Sequence, residues 1–159
     1  MWNTPDLCDD YPEEVQVLEP LFQNFGGKPA FFGQVVTVKC FEDNSRVKEL
    51  AGTDGDGKVM VVDGGASLAK ALIGDEIALD AVNHGWQGVV INGCARDIHE
   101  LQRMPIGVRA LASIPVRTEK KGLGDVDVPV TFAGQTIEPG MYLYADETGI
   151  VVSRKALFA

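Results

Sequence analysis

Between Phe32 and Phe41, in "AFFGQVVTVKCF", apolar and polar positions nearly alternate and β-branched residues are frequent, the pattern of a half-buried strand. "GKVMVVDGG" and "GVVINGC" are short apolar runs bounded by glycine, which predicts strands covered on both faces. Between these two runs "SLAKALIGDEIALDAVNHG" has helical spacing broken once, at Gly74, so the middle of the chain reads as a βαβ unit with parallel strands. A helix is expected through "NSRVKELAG". Near the N-terminus Thr4 reads as an N-cap with Pro5 at the first helical position, and Pro12 limits this region to short helices. Downstream, "GVRALASIPV" and "VPVTFAGQTIEPGMYLYADETGIVVS" carry further strand signal, with "AGQT" and "DETG" as turns. No repeat, linker or low-complexity tract divides the chain. The predicted architecture is a single α/β domain over residues 1–159, a mixed α/β sandwich with a central βαβ unit and a β-rich C-terminal half. Sheets of this type place their sites at the C-terminal ends of the parallel strands.

Composition narrows the function classes. At 159 residues the chain can bury one core without disulfides or a structural metal. Its 14 basic and 23 acidic residues give a net charge of −9, which repels phosphate backbones and argues against direct nucleic-acid binding. A basic protein surface or a small anion is a better partner. No apolar run reaches membrane-spanning length, so no membrane association is expected. The acidic opening "MWNTPDLCDDYPEEVQ" lacks the pattern of a secretory signal, so a cytoplasmic location is expected. Cys8, Cys40 and Cys94 are odd in number and widely spaced, and read as reduced thiols.

Candidate chemistry concentrates in two places. In "GVVINGCARDIHEL", Arg96 and Asp97 stand where an apolar strand ends and a helix begins. "DIHE" matches a capping box, with Asp97 accepting backbone amides and Glu100 reaching back. Arg96 directly after a buried strand needs an anion, and neighbouring side chains there are expected to diverge toward separate partners. In "LIGDEIALDAV", Asp75 could cap the helix that runs to His84, with Gly85 ending it. The same geometry would turn the free amides of Glu76 and Ile77 toward a bound carboxylate or enolate. If the sheet brings Gly74 to Ile77 beside Arg96 and Asp97, one pocket gains two carboxylates, a guanidinium and amide donors, equipment suited to metal-assisted chemistry on a keto acid.

Other signals read as structural. "DGGAS" lacks the full glycine spacing of a nucleotide turn, which sets aside a methyltransferase reading, and "DGDGK" lacks the closing glutamate of a calcium loop. His84 and His99 are too few for a zinc site or a serine triad. "EKKGLG" reads as a flexible surface loop.

The blocks "GDEIALDAV", "GVVINGCARDI", "GVRALASIPVRTEKKGLGDVDVPVTFAGQTIEPG" and "YLYADETGIVVS" resemble the RraA-like family across essentially the whole chain. That family contains 4-hydroxy-4-methyl-2-oxoglutarate aldolases and the regulator of ribonuclease activity A, an inhibitor of ribonuclease E. The opening residues are especially similar to the regulator branch, whereas the intact "GCARD" is the aldolase signature. The resemblance implies that Asp97 holds a divalent metal, Mg2+ or Mn2+, mainly through waters, and that Arg96 grips the substrate. It implies that Gly74, Asp75, Glu76 and Ile77 contact substrate, with Asp75 acting as a base through a bound water. It further implies a class II retro-aldol cleavage to pyruvate and a keto acid, secondary oxaloacetate decarboxylation, and a homotrimer with sites between subunits. The competing implication is a regulator that binds ribonuclease E.

Overall fold

The computed structural model describes residues 1–158. In chain order the elements are α1 (Thr4–Asp10), β1 (Gln16–Val17), β2 (Gln23–Asn24), β3 (Phe31–Lys39), α2 (Ser45–Ala51), β4 (Lys58–Asp63), β5 (Ala71–Ile73) and α3 (Asp75–Asn83). They continue as β6 (Gly88–Ala95), α4 (Ile98–Leu101), β7 (Gly107–Ser113), β8 (Asp125–Val126), β9 (Val130–Phe132), β10 (Gln135–Ile137), β11 (Tyr142–Ala145) and β12 (Ile150–Ser153).

One large mixed sheet runs in the order β1-β12-β11-β3-β4-β6-β7-β2, with β5 added against β6 and β8 against β3. Its centre, β3-β4-β6-β7, is parallel, and its flanks are antiparallel. Strand β4 shows why its apolar run does not alternate. Met60 and Val62 face a core shared with Val47 and Ala51 of α2 and Ile77, Ala78 and Ala81 of α3, while Val59 and Val61 face a second core. Val130, Phe132 and Ile137 of the β9–β10 hairpin close that second core. Both faces of the strand are therefore dry, and each position must be apolar. The hairpin turns through Ala133 and Gly134, both at positive φ, the conformation that matches the twist of tightly connected strands. Helix α1 packs on the outer flank, where Leu7 meets Tyr144, Val151 and Leu157.

The mixed α/β sandwich and the central parallel unit are as predicted, with local differences, among them a short strand at Gln16–Val17 where only helix was expected. "SLAKAL" is not helical: Ala71–Ile73 is a strand pairing with β6 at Cys94 and Ala95, and only Asp75–Asn83 is helix. Three fully covered apolar residues fit either period, and the free edge at the end of β6 decided for strand. The N-cap of α1 is Asn3, whose side chain accepts from the Asp6 amide, while Thr4 is drawn off by Asp146, bonding it through both its amide and its hydroxyl. All three cysteines are free, and burial pushes the Cys40 thiol up to about 12, with Asp43 and Asp63 adding to the effect.

Candidate functional site

The site lies at the C-terminal ends of β5 and β6. The pairing of β6 slips in register against β7 between Ile91 and Cys94, and against β5 between Ala71 and Ile73. Such irregularities bend a strand and re-aim the residues that follow. The amide of Arg96 still bonds Ile73 O, at 2.9 Å, so the strand partner of β6 holds the first residue of the pair in place.

Asp97 then takes φ 57° and ψ 43°, the left-handed region. It occupies the N-cap position of α4, yet its side chain makes no bond to that helix. The capping-box expectation is thus not met. The carboxylate turns the other way, and Asp97 Oδ2 accepts the amide of Asp75, at 2.9 Å, at the start of α3. This arrangement explains Gly74: a Cβ there would fall 2.5 Å from Asp97 Oδ2 and 3.3 Å from Arg96 Nε. Glycine lets the Asp97 carboxylate approach this closely, and backbone conformation is not the reason for it, since its φ of −138° is open to any residue. The backward turn also brings Arg96 Nε to 3.9 Å from Asp97 Oδ2, so the pair leans together instead of diverging.

Gly74, Asp75, Glu76, Ile77, Arg96 and Asp97 all line one recess of about 260 Å³. Asp75 is half-buried. Burial raises its carboxyl above the ordinary aspartate value, and a hydrogen bond and like charge from Asp97 raise it further, against the Glu76 amide, which lowers it. The first-turn amides at Glu76 and Ile77 have no partner one turn earlier within the helix, so this end of α3 is polarised toward negative charge.

Six further polar residues line the recess: Asn44, Lys48, Asp80, Asn83, Arg117 and Lys120. Lys120 belongs to "EKKGLG", which is anchored rather than free. Burial pushes the Asp43 carboxyl up, but the Ser45 hydroxyl and the amides of Ser45, Lys121 and Leu123 outweigh it and hold Asp43 down to about 2. His84 and His99 lie outside the recess: His84 Nδ1 is 2.8 Å from Asp80 O, and His99 Nε2 is 2.9 Å from Arg103 Nη2. The "DGGAS" turn is filled by the protein itself, since a Cβ on Gly64 would meet Leu72 Cδ1 at 2.5 Å.

The sequence profile of the RraA-like family, described as Aldolase/RraA, matches residues 4–152. The chain belongs to this family. A Pseudomonas fluorescens protein bearing the provisional name 4-hydroxy-4-methyl-2-oxoglutarate aldolase is 60% identical over 154 residues, covering 97% of this chain and 94% of that protein. Among solved structures, the RNA-processing inhibitor RraA from Thermus thermophilus has TM-score 0.96 and 42% identity, covering 100% of this chain and 96% of its own. A Geobacillus kaustophilus protein described as an S-adenosylmethionine: 2-dimethylmenaquinone methyltransferase has TM-score 0.96 and 47% identity, covering 98% and 97%. Among the described residues no helix is long and apolar enough to cross a membrane.

Proposed function

We propose that this RraA-like protein is a divalent-metal-dependent aldolase that cleaves 4-hydroxy-4-methyl-2-oxoglutarate and related 4-hydroxy-2-oxo dicarboxylates to pyruvate and a keto acid. One observation carries the reading: Asp97 adopts a left-handed backbone and forgoes capping its own helix, and its carboxylate meets the N-terminus of α3 beside Asp75 and Arg96. A strained residue that gives up a local hydrogen bond is the kind of feature function retains. The names borne by relatives about 60% identical support the same chemistry.

The donor set fits a hard, oxygen-seeking ion. Among the described residues no group of three or more His, Cys, Asp or Glu could enclose a metal. Asp97 would hold Mg2+ or Mn2+ with water and substrate oxygens completing the shell, the habit of magnesium in particular. When bound, the ion supplies Lewis-acid polarisation of the keto oxygen.

The chain's own residues do the rest. Arg96 binds and orients the oxo acid by its carboxylate. Asp75, its carboxyl raised toward the working pH by burial and by Asp97, takes the proton from the C4 hydroxyl through a water. As the carbon–carbon bond breaks, negative charge grows on the enolate of pyruvate, and Arg96 with the Glu76 and Ile77 amides stabilises it there. Oxaloacetate loses CO2 through the same enolate, so a secondary decarboxylase activity belongs to this reading. No lysine is needed as a Schiff base, and the pathway is class II. The site operates in a cytoplasmic homotrimer.

Pyruvate release from 4-hydroxy-4-methyl-2-oxoglutarate, followed with and without Mg2+, tests the proposal. Activity abolished by EDTA and by Asp97→Ala is expected; undiminished turnover in that variant rejects the site. A second reading, a regulator that binds ribonuclease E, is favoured by the likeness to the Thermus inhibitor and by the net charge of −9. It predicts co-purification with ribonuclease E that weakens as salt rises, and absence of binding at low salt would reject it.

A further inference from the structure

Lys48, Arg117 and Lys120 line the same recess as Arg96, and the mechanism above uses none of them. Among the described residues no carboxylate lies within 4.0 Å of any of the three. Asp75, Glu76, Asp80 and Asp97 line the same recess, yet none of them forms an ion pair with these three cations, which leaves each with its charge free to meet a ligand.

Their positions are nevertheless built. Asn44 donates through its side chain to Leu72 O at 3.0 Å and accepts the Thr118 hydroxyl at 2.7 Å, while the Ala71 amide bonds Val116 O at 2.7 Å. These bonds fix the backbone on both sides of Arg117 against β5. Asp43 accepts the amides of Lys121 and Leu123, at 2.8 and 3.2 Å, and Ser45 Oγ accepts the amide of Gly122, which fixes the backbone just after Lys120. Lys48 stands on α2, which starts at Ser45. One buried polar cluster, Asp43, Asn44, Ser45 and Thr118, therefore ties together the two segments that carry all three cations. A fully satisfied buried network of this kind specifies a unique arrangement.

At the other end of the recess Arg96 is already drawn toward Asp97, so a ligand with two negative ends needs a second counter-charge of its own. We propose that Arg117 and Lys120, assisted by Lys48, form a second anion subsite that receives the distal carboxylate of a dicarboxylic oxo acid and sets the preference for dicarboxylates over monocarboxylates. The inference rests on the aldolase reading for its placement of the first carboxylate at Arg96. The guanidinium of Arg117 can take the carboxylate by two parallel hydrogen bonds, and the lysines act as point charges.

The test is calorimetric binding, in Mg2+ buffer, of two probes of equal chain length, 2-oxoglutarate and 2-oxopentanoate, which differ in the distal carboxylate. The wild-type protein is expected to favour 2-oxoglutarate by about tenfold or more, the scale of one charged hydrogen bond. Arg117→Met and Lys120→Met should each cut that preference several-fold, the double variant should remove it, and Lys48→Met should have the smallest effect. Affinity for 2-oxopentanoate should not move in any of them. Arg154→Met, outside the recess, is the control. Equal affinity for both probes in the wild type, or a double variant that folds and keeps the full preference, overturns the proposal. A preference that stands in a protein releasing no pyruvate from 4-hydroxy-4-methyl-2-oxoglutarate rejects the aldolase reading and leaves the subsite in place.

Discussion

Two aspartates follow central parallel strands in this molecule, Asp63 at the end of β4 and Asp97 just past β6, and the fold treats them differently. Asp63 is buried, and its Oδ1 accepts both the Gly65 amide at 2.9 Å and the Asn92 side-chain amide at 3.0 Å, pinning a glycine turn to the neighbouring strand. Asp97 keeps 32% of its side chain exposed, accepts one protein donor through Oδ2, and faces a recess with Arg96 beside it. A buried strand-end aspartate that accepts two protein donors is part of the scaffold. One left with capacity in a hollow can serve a ligand.

Reciprocal substitutions should break that comparison if it is wrong. Asp97→Ala is expected to lower metal-dependent pyruvate release by about a thousandfold or more while the protein stays folded, as loss of a principal electrostatic group does. Asp63→Ala should do the reverse: it strands the Gly65 and Asn92 donors, costs about 2 kcal/mol in denaturant unfolding, and leaves turnover per folded molecule near wild type.

Gly74→Ala comes next in size. Its methyl would sit 2.5 Å from Asp97 Oδ2, so the carboxylate must move, and kcat/KM should fall by about a hundredfold, the scale of a misplacement near 1 Å. Normal kinetics in this variant would show that the Asp97 to Asp75 contact is dispensable.

Acid unfolding sharpens the comparison from the scaffold side. Because Asp43 is held down to about 2 in the fold, its ionised form is stabilised relative to the unfolded chain. That contribution is complete above about pH 4 and disappears as the pH falls toward 2. Asp43→Asn should therefore be less stable near neutrality and show a shallower loss of stability over that window, measured by urea midpoints at successive pH values. The smallest change in stability is expected from Asp97→Gly. Relief of the left-handed strain should raise stability by roughly 0.5–1 kcal/mol while activity is lost, separating the structural cost of this residue from its use.

Much of this was legible in the chain. The double-sided burial of β4 and β6 is written in their unbroken apolar runs, and "GDEI" and "GCARD" named the six residues that do line one recess. What the sequence could not resolve was the orientation of Asp97, since "DIHE" is equally a capping box, and whether "ALI" continues the following helix or forms a strand. Both depended on neighbours distant in the chain: Asp75 for the first, Cys94 and Ala95 for the second. Lys120 is not legible as a site residue in the chain, because a lysine-rich, glycine-containing stretch reads as mobile, and only the fold bonds its amides to a buried aspartate 78 to 80 residues away.

The sequence by itself determined the long strands of the sheet, most of the helices and the residue types of the site, because periodicity and glycine act over a few residues and need no partner. Tertiary structure decided which carboxylate is buried against protein donors and which is left facing the recess, and which cations remain unpaired. Those are questions of what stands within about 3 Å across the sheet, and no local pattern encodes that distance.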